Sequence, residues 1–270
     1  MDSLEQRIEI HIDELAKFTE TPDHGVTRVV YTEQDKLAKE YIKKQMEELG
    51  LQIQEDEIGN IFATWAGKYR DLPQVWTGSH MDAPTHGGKY DGVVGVFGAL
   101  EAIRLLQQEN FKPKHDIVLV VFAAEEPTRF GVGCLGSRAL TGMITPADLD
   151  SWKDKDHVSL KEVLLQNGRS PERVLTEQLV PHKIKSFIEL HVEQGAVLEK
   201  EQKQIGIVDV IAAPTDIQLT IYGEQRHAGS TPMSIRKDPM PAAAEVVLLV
   251  EEITKNNISE TSVGTVGKAV

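Results

Sequence analysis

Cysteine is nearly absent: Cys134 stands alone in 270 residues, so no internal disulfide can form. Long apolar runs are missing too, and none approaches the roughly 18 residues that a membrane-spanning helix needs. The opening Met1-Asp2-Ser3-Leu4-Glu5-Gln6 lacks the basic-then-apolar pattern of a secretion signal. These absences together favour a reducing cytoplasm. Positive charge is also short, with 29 Lys and Arg against 42 Asp and Glu, a formal net charge of −13. That balance argues against nucleic acid or an anionic membrane as the main partner. It leaves room for a small anionic substrate, which needs only a locally positive site. There is no internal repeat and no low-complexity segment.

What is present is the apolar content of an ordinary globular protein, in a chain long enough for one large domain or two smaller ones. Leu4, Ile8, Ile12, Leu15 and Phe18 recur at helical spacing, and Thr21-Pro22-Asp23-His24-Gly25 breaks that helix. A second helix is expected after Thr32, with Asp35 as capping partner, Leu37, Tyr41, Ile42, Met46 and Leu49 as its apolar stripe, and Gly50 just past its end. Short strands follow at 51–54 and 61–65, separated by a Gly59-Asn60 turn, and another begins at Gln74 and ends at His80. A glycine-rich loop leads to a helix from about Val94 to Gln108. Asp116 to Ala124 is almost wholly apolar, as a strand covered on both faces should be. Ser186 to Leu190 reads as one more buried strand.

Strands alternating with helices imply an α/β class with a largely parallel, layered sheet. Ligands of such sheets bind beyond the carboxyl ends of the strands. Composition changes near Ala212-Ala213-Pro214, after which 215–222 alternates like a half-exposed strand and 239–253 reads as a helix. The expected organisation is a catalytic domain over 1–211 and part of a smaller α+β domain over 212–270.

Four stretches carry the chemistry: Gly78-Ser79-His80-Met81-Asp82, Lys89-Tyr90-Asp91-Gly92, Ala124-Glu125-Glu126-Pro127 and Glu189-Leu190-His191-Val192-Glu193-Gln194-Gly195. Each places His, Asp or Glu where a strand gives way to a loop. Imidazole nitrogen and carboxylate oxygen are the usual hydrolase ligands for zinc or manganese, and one aspartate can bridge two ions. Taken singly, His80 also fits a hydrogen-bonded histidine at a strand end, and Asp91 an Asp-Gly turn. The adjacent Glu125 and Glu126 are harder to explain that way. Two carboxylates directly after an apolar strand repel unless positive charge lies between them.

In this order the four stretches resemble the metal-dependent amidohydrolases of the aminopeptidase-like superfamily. The branch is that of the N-carbamoyl-amino-acid, allantoate and ureidoglycolate amidohydrolases. The match starts near Gly25-Val26-Thr27-Arg28 and includes the hallmark Gly223-Glu224-Gln225-Arg226-His227-Ala228-Gly229-Ser230-Thr231-Pro232-Met233. Peptidase relatives usually carry an acidic residue at the position of His191, so that histidine points to ureido and carbamoyl substrates.

The resemblance implies two divalent ions, manganese or zinc first and cobalt or nickel next. His80 and His191 would bind one ion, Asp91 would bridge, and Glu126 would bind the second. Glu125 would be the general base, Asp82 would support His80, and Gln194 would contact substrate. His227 would steady the oxyanion from the partner subunit of a homodimer, and 212–270 would belong to a dimerisation or lid domain. The resemblance also implies a later histidine for the second ion and a later arginine for the substrate carboxylate. Neither has a match before Val270, so a fragment or truncated product is expected, with a weak second metal site and poor turnover. Two alternatives stand beside this reading: a di-metal aminopeptidase or dipeptidase, and a metal-binding, dimerising piece without catalysis.

Overall fold

The computed structural model describes residues 3–213, 215–257 and 261–270. Met1 and Asp2 of the N-terminal pattern, and Pro214 of the expected domain boundary, lie outside them. The chain divides into two compact units, 1–196 and 197–270.

The first unit opens with helix α1 (Leu4–Ala16), which begins in a capping box: Ser3 and Gln6 each accept the other's backbone N–H. After β1 (Val26–Arg28), helix α2 (Glu33–Glu48) starts where expected, with the Thr32 hydroxyl accepting the Asp35 N–H. It buries Ala38, Ile42 and Met46. The strands β2 (Gln52–Glu55), β3 (Ile61–Trp65), β4 (Gln74–His80) and β5 (Ala83–Gly87) follow, then α3 (Val93–Gln108) and β6 (Ile117–Phe122). Four short helices come next, α4 (Leu135–Leu140), α5 (Pro146–Ser151), α6 (Leu160–Gln166) and α7 (Pro171–Thr176), and β7 (Ile184–Ile188) ends the series.

The main sheet has the order β2-β3-β6-β4-β7. The α/β class is as expected, but the sheet is mixed rather than largely parallel. β6, β4 and β7 run parallel, whereas β2, β3 and β6 pair antiparallel. The turn over 56–60 accounts for the antiparallel β2–β3 pair, because it has room for a hairpin and none for the crossover that a parallel pair requires. Alternate residues of β6 serve opposite faces: Leu119 and Val121 pack with Ile12, Ile42, Phe97 and Leu100, while Val118 and Val120 pack with Trp76 and Leu140. Both faces are covered, which explains the unbroken apolar run. A separate antiparallel pair, β1 with β5, was not expected. Its strand Ala-Pro-Thr-His-Gly contains the residues that normally interrupt sheets.

In the second unit, α8 (Val197–Lys200) precedes α9 (Pro239–Asn257), the helix expected from residue 239. The strand expected over 215–222 does not form among the described residues. Ile217, Leu219 and Ile221 alternate correctly, but alternation makes a strand only when a neighbour supplies the ladder. No described residue from 197 onward is buried. Among the described residues no helix is long and apolar enough to cross a membrane.

Candidate metal and catalytic site

The parallel register sets the site. His80, the last residue of β4, lies opposite Phe122 at the end of β6, so the chain after each strand emerges at the same level. β7 lies on the other side of β4 and delivers 189–194 there. The first turn of α3 packs against both: a Cβ on Gly95 would sit 2.3 Å from the Leu190 carbonyl and 2.7 Å from Ser79 Cβ. Asp91 and Gly92, just before that turn, are thereby held over the strand ends.

His80 is 2% exposed. Its Nδ1 lies 3.2 Å from the Asp82 carbonyl and 3.5 Å from Asp82 Oδ1, and its Nε2 lies 3.7 Å from Glu125 Oε2 and 4.0 Å from Asp91 Oδ1. Burial on its own would lower the imidazole pKa. The hydrogen bond to Asp82 and the charges of Asp82, Glu125 and Asp91 outweigh it and push the value up to about 9. Gly92 (φ +64°) must be glycine here, because a Cβ would fall 2.4 Å from His80 Nε2.

Asp91 faces the second histidine. His191 Nε2 lies 3.2 Å from Asp91 Oδ1, and Gln194 Nε2 donates to Asp91 Oδ2 at 2.6 Å. The His80 and His191 rings stack with centroids 6.0 Å apart. The His191 approach is close enough for an ion pair but lacks hydrogen-bonding geometry, so Asp91 Oδ1 is buried without a hydrogen-bond partner. An orphaned carboxylate oxygen facing two imidazole nitrogens fits a cation. One ligand atom each from His80, Asp91 and His191 lie within 4.8 Å of one another. Imidazole and carboxylate donors of this kind suit a divalent ion such as zinc or manganese.

Asp82 does more than support His80. Its carboxylate accepts the backbone N–H of Glu125 at 3.2 Å and of Glu126 at 2.9 Å, and so fixes the chain that carries both glutamates. Glu126 has its pKa raised, first by burial and then by the charge of Glu125, with His80 opposing. It lies outside the His80–Asp91–His191 group of mutually close ligand atoms. His227 belongs to the second unit, where its Nδ1 accepts the N–H of Gly229 and Ser230, each at 3.1 Å. A neutral imidazole held this way carries its proton on Nε2 and can donate it outward. A separate cavity lies elsewhere, lined among others by Lys39, Lys43, Glu55 and Arg169. Three of its cations are already paired, Lys39 with Asp35 and both Lys43 and Arg169 with Glu55.

Sequence reasoning missed two supports of the site. Arg28, 1% exposed, donates to the carbonyls of Met81, Leu15 and Phe18 and so anchors the residue between His80 and Asp82. Asn60, fully buried, holds the segment that carries the glutamates. An arginine in a motif and an asparagine in a Gly-Asn turn carry no local sign of such long-range partners.

A mixed sheet with His, Asp and Glu gathered at its parallel strand ends is a frame able to hold a divalent ion. Residues 71–267 match the peptidase family M20/M25/M40, and the chain belongs to that family. The matched span includes all the candidate site residues. The chain is 46% identical over 259 residues to a ureidoglycolate hydrolase of Oryza sativa subsp. japonica, covering 95% of this chain and 54% of that protein. It is 38% identical over 265 residues to an N-carbamoyl-L-amino-acid amidohydrolase of Pseudomonas sp. (strain NS671), covering 97% of this chain and 64% of that protein. The crystal structure of AtUAH in complex with glyoxylate superposes with a TM-score of 0.78 at 37% identity, covering 97% of this chain and 63% of that one. The chain thus spans between about half and two thirds of the length of these relatives.

Proposed function

We propose that this chain carries the metal-binding and base-supplying part of an amidohydrolase that cleaves a linear C–N bond in a small ureido or N-carbamoyl acid. A ureido acid such as ureidoglycolate or allantoate is placed ahead of an N-carbamoyl amino acid. The observation that carries the reading is the orphaned Asp91 oxygen between His80 and His191, with Glu125 beside His80. The names of the relatives support the substrate class, and glyoxylate in the AtUAH crystal structure fits the product of a ureidoglycolate substrate.

In this reading His80, Asp91 and His191 hold one divalent ion, and Asp91 with Glu126 contributes to a second. When bound, such ions polarise the scissile carbonyl and make water a stronger acid. Glu125 takes the proton from the attacking water and returns it to the leaving nitrogen. Asp82 fixes His80 and the backbone of both glutamates. Gln194 contacts the substrate. His227 donates from Nε2 to the developing oxyanion, delivered by the partner subunit of a homodimer built through 212–270.

The deciding experiment is an ammonia-release screen over ureidoglycolate, allantoate, N-carbamoyl amino acids and dipeptides, with manganese, zinc, cobalt or nickel added back. Ureido or carbamoyl turnover is expected. Glu125→Gln should retain metal and lose at least ~100-fold in turnover. Faster cleavage of dipeptides than of every ureido compound would reassign the chain to peptide hydrolysis.

A further inference from the structure

Asn60 sits in what the sequence presents as a plain turn before β3. Its side chain is fully buried, and both its polar atoms are engaged. Oδ1 accepts the Ala123 N–H at 2.9 Å, while Nδ2 donates to the Gly136 carbonyl at 3.1 Å and to Asp56 Oδ2 at 2.7 Å. Asp56 in turn accepts the N–H of Gly59 and of Asn60, so the amide is held from behind.

Ala123 and Gly136 are the two ends of the segment that carries Glu125 and Glu126. These ends are also stitched to each other: Gly136 N donates to Ala123 O, Leu135 N to Ala124 O, and Cys134 N to Glu125 O, at 2.7–2.9 Å. The segment is therefore a closed loop with the Asn60 amide filling its base. Two details show how tightly that base is specified. Ala124, next to Glu125, has φ +49°, a conformation that a non-glycine residue keeps only when its surroundings impose it. A Cβ on Gly136 would lie 2.0 Å from Asn60 Oδ1 and 2.8 Å from Ala123 N and O. β3 pairs with β6, Ile61 opposite Val121, so the amide continues that ladder by one step beyond the strands, with a side chain in place of backbone.

We infer that Asn60 is a positioning residue for Glu125. Through Ala123 and Gly136 it sets where the Glu125 carboxylate stands against His80. This rests on the reading of Glu125 as general base. An amide that served only its own turn would bond Asp56 and nothing else, whereas Asn60 also holds both ends of the loop.

The test compares Asn60→Ala, Gly136→Ala, the double variant and Glu125→Gln in the full-length protein. Four quantities are read: metal content, kcat and KM for ammonia release from ureidoglycolate, and amide hydrogen exchange. Asn60→Ala should lower kcat ~10- to 100-fold, the scale of a misplaced catalytic group, with KM and metal content within about twofold. Faster exchange should be confined to 123–136, with β4 and α2 unchanged. Gly136→Ala should reproduce the effect by pushing on the same amide, and the double variant should be no worse than the poorer single one, because both act on one contact. If Asn60→Ala does not fold, Gly136→Ala carries the comparison. Unchanged kcat and unchanged exchange at 123–126 in a folded variant would overturn the inference, as would exchange that rises throughout the unit. Exchange decides the point even for a preparation without turnover. If Glu125→Gln keeps full activity, the reading of Glu125 fails and this inference with it. A normal Glu125 effect beside an indifferent Asn60→Ala rejects the positioning role alone.

Discussion

The segments after β4 and β6 and the segment after β7 carry candidate ligands of the same kind, yet they are held in different ways. The first two are fixed from beneath by buried polar groups: Arg28 on Met81, Asp82 on Glu125 and Glu126, Asn60 on Ala123. The third has no regular structure from Glu189 to Gln194 and is largely exposed. It reaches the others through His191 and Gln194 on Asp91 and through Ser79 donating to Glu189 at 2.5 Å. One side of the site is thus part of the folded core, and the other is held by a few polar contacts. Stability and metal binding should therefore separate by residue.

The most severe way to break that contrast is to remove a support of the core side. Arg28→Met leaves two buried carbonyls and a half-buried one without their donor. It should cost on the order of 3–5 kcal/mol in urea unfolding. A change below ~1 kcal/mol would show that water replaces the guanidinium.

A paired comparison sharpens it. His80→Ala should lose metal and also destabilise the metal-free chain by roughly 1–3 kcal/mol, since it opens a buried, hydrogen-bonded position. His191→Ala should weaken metal binding as much and leave stability within ~0.5 kcal/mol. Calorimetric metal titration beside denaturant melts checks both, and equal stability losses would erase the distinction.

The smallest effect is on pH. With metal chelated, His80 has a folded pKa of about 9 against an ordinary 6.5. A raised pKa means that the protonated imidazole stabilises the fold fully below about pH 6.5, and that this contribution fades as pH rises through about 9. His80→Ala should flatten that profile. Metal competes with the same proton, so metal affinity should increase across the same window.

Much of this was readable from the sequence where the signal is local. The caps at Ser3 and Thr32, the doubly covered β6 and the start of α3 follow from spacing and residue type. The sequence marks His80 and Asp91 as ligand candidates, and the fold brings both close to His191. Harder to read were features whose partners lie far along the chain. β5 contains Pro84 and Gly87 and becomes a strand only because β1 is there to pair with it. The alternating 215–222 shows the reverse, a strand pattern with no ladder among the described residues. Asn60 and Gly136 lie 76 residues apart, and neither hints at the other.

The strand order carries a consequence in time. β6 lies between β3 and β4, so β4 cannot take its place beside β3 and must wait for a strand that begins 37 residues after His80 in the chain. His191, 100 residues beyond Asp91, arrives later still. Closures across such separations are the slow ones in folding. On a ribosome the His80–Asp91–His191 group can close only once β7 has emerged, so capture of a metal there would mark the completion of this sheet.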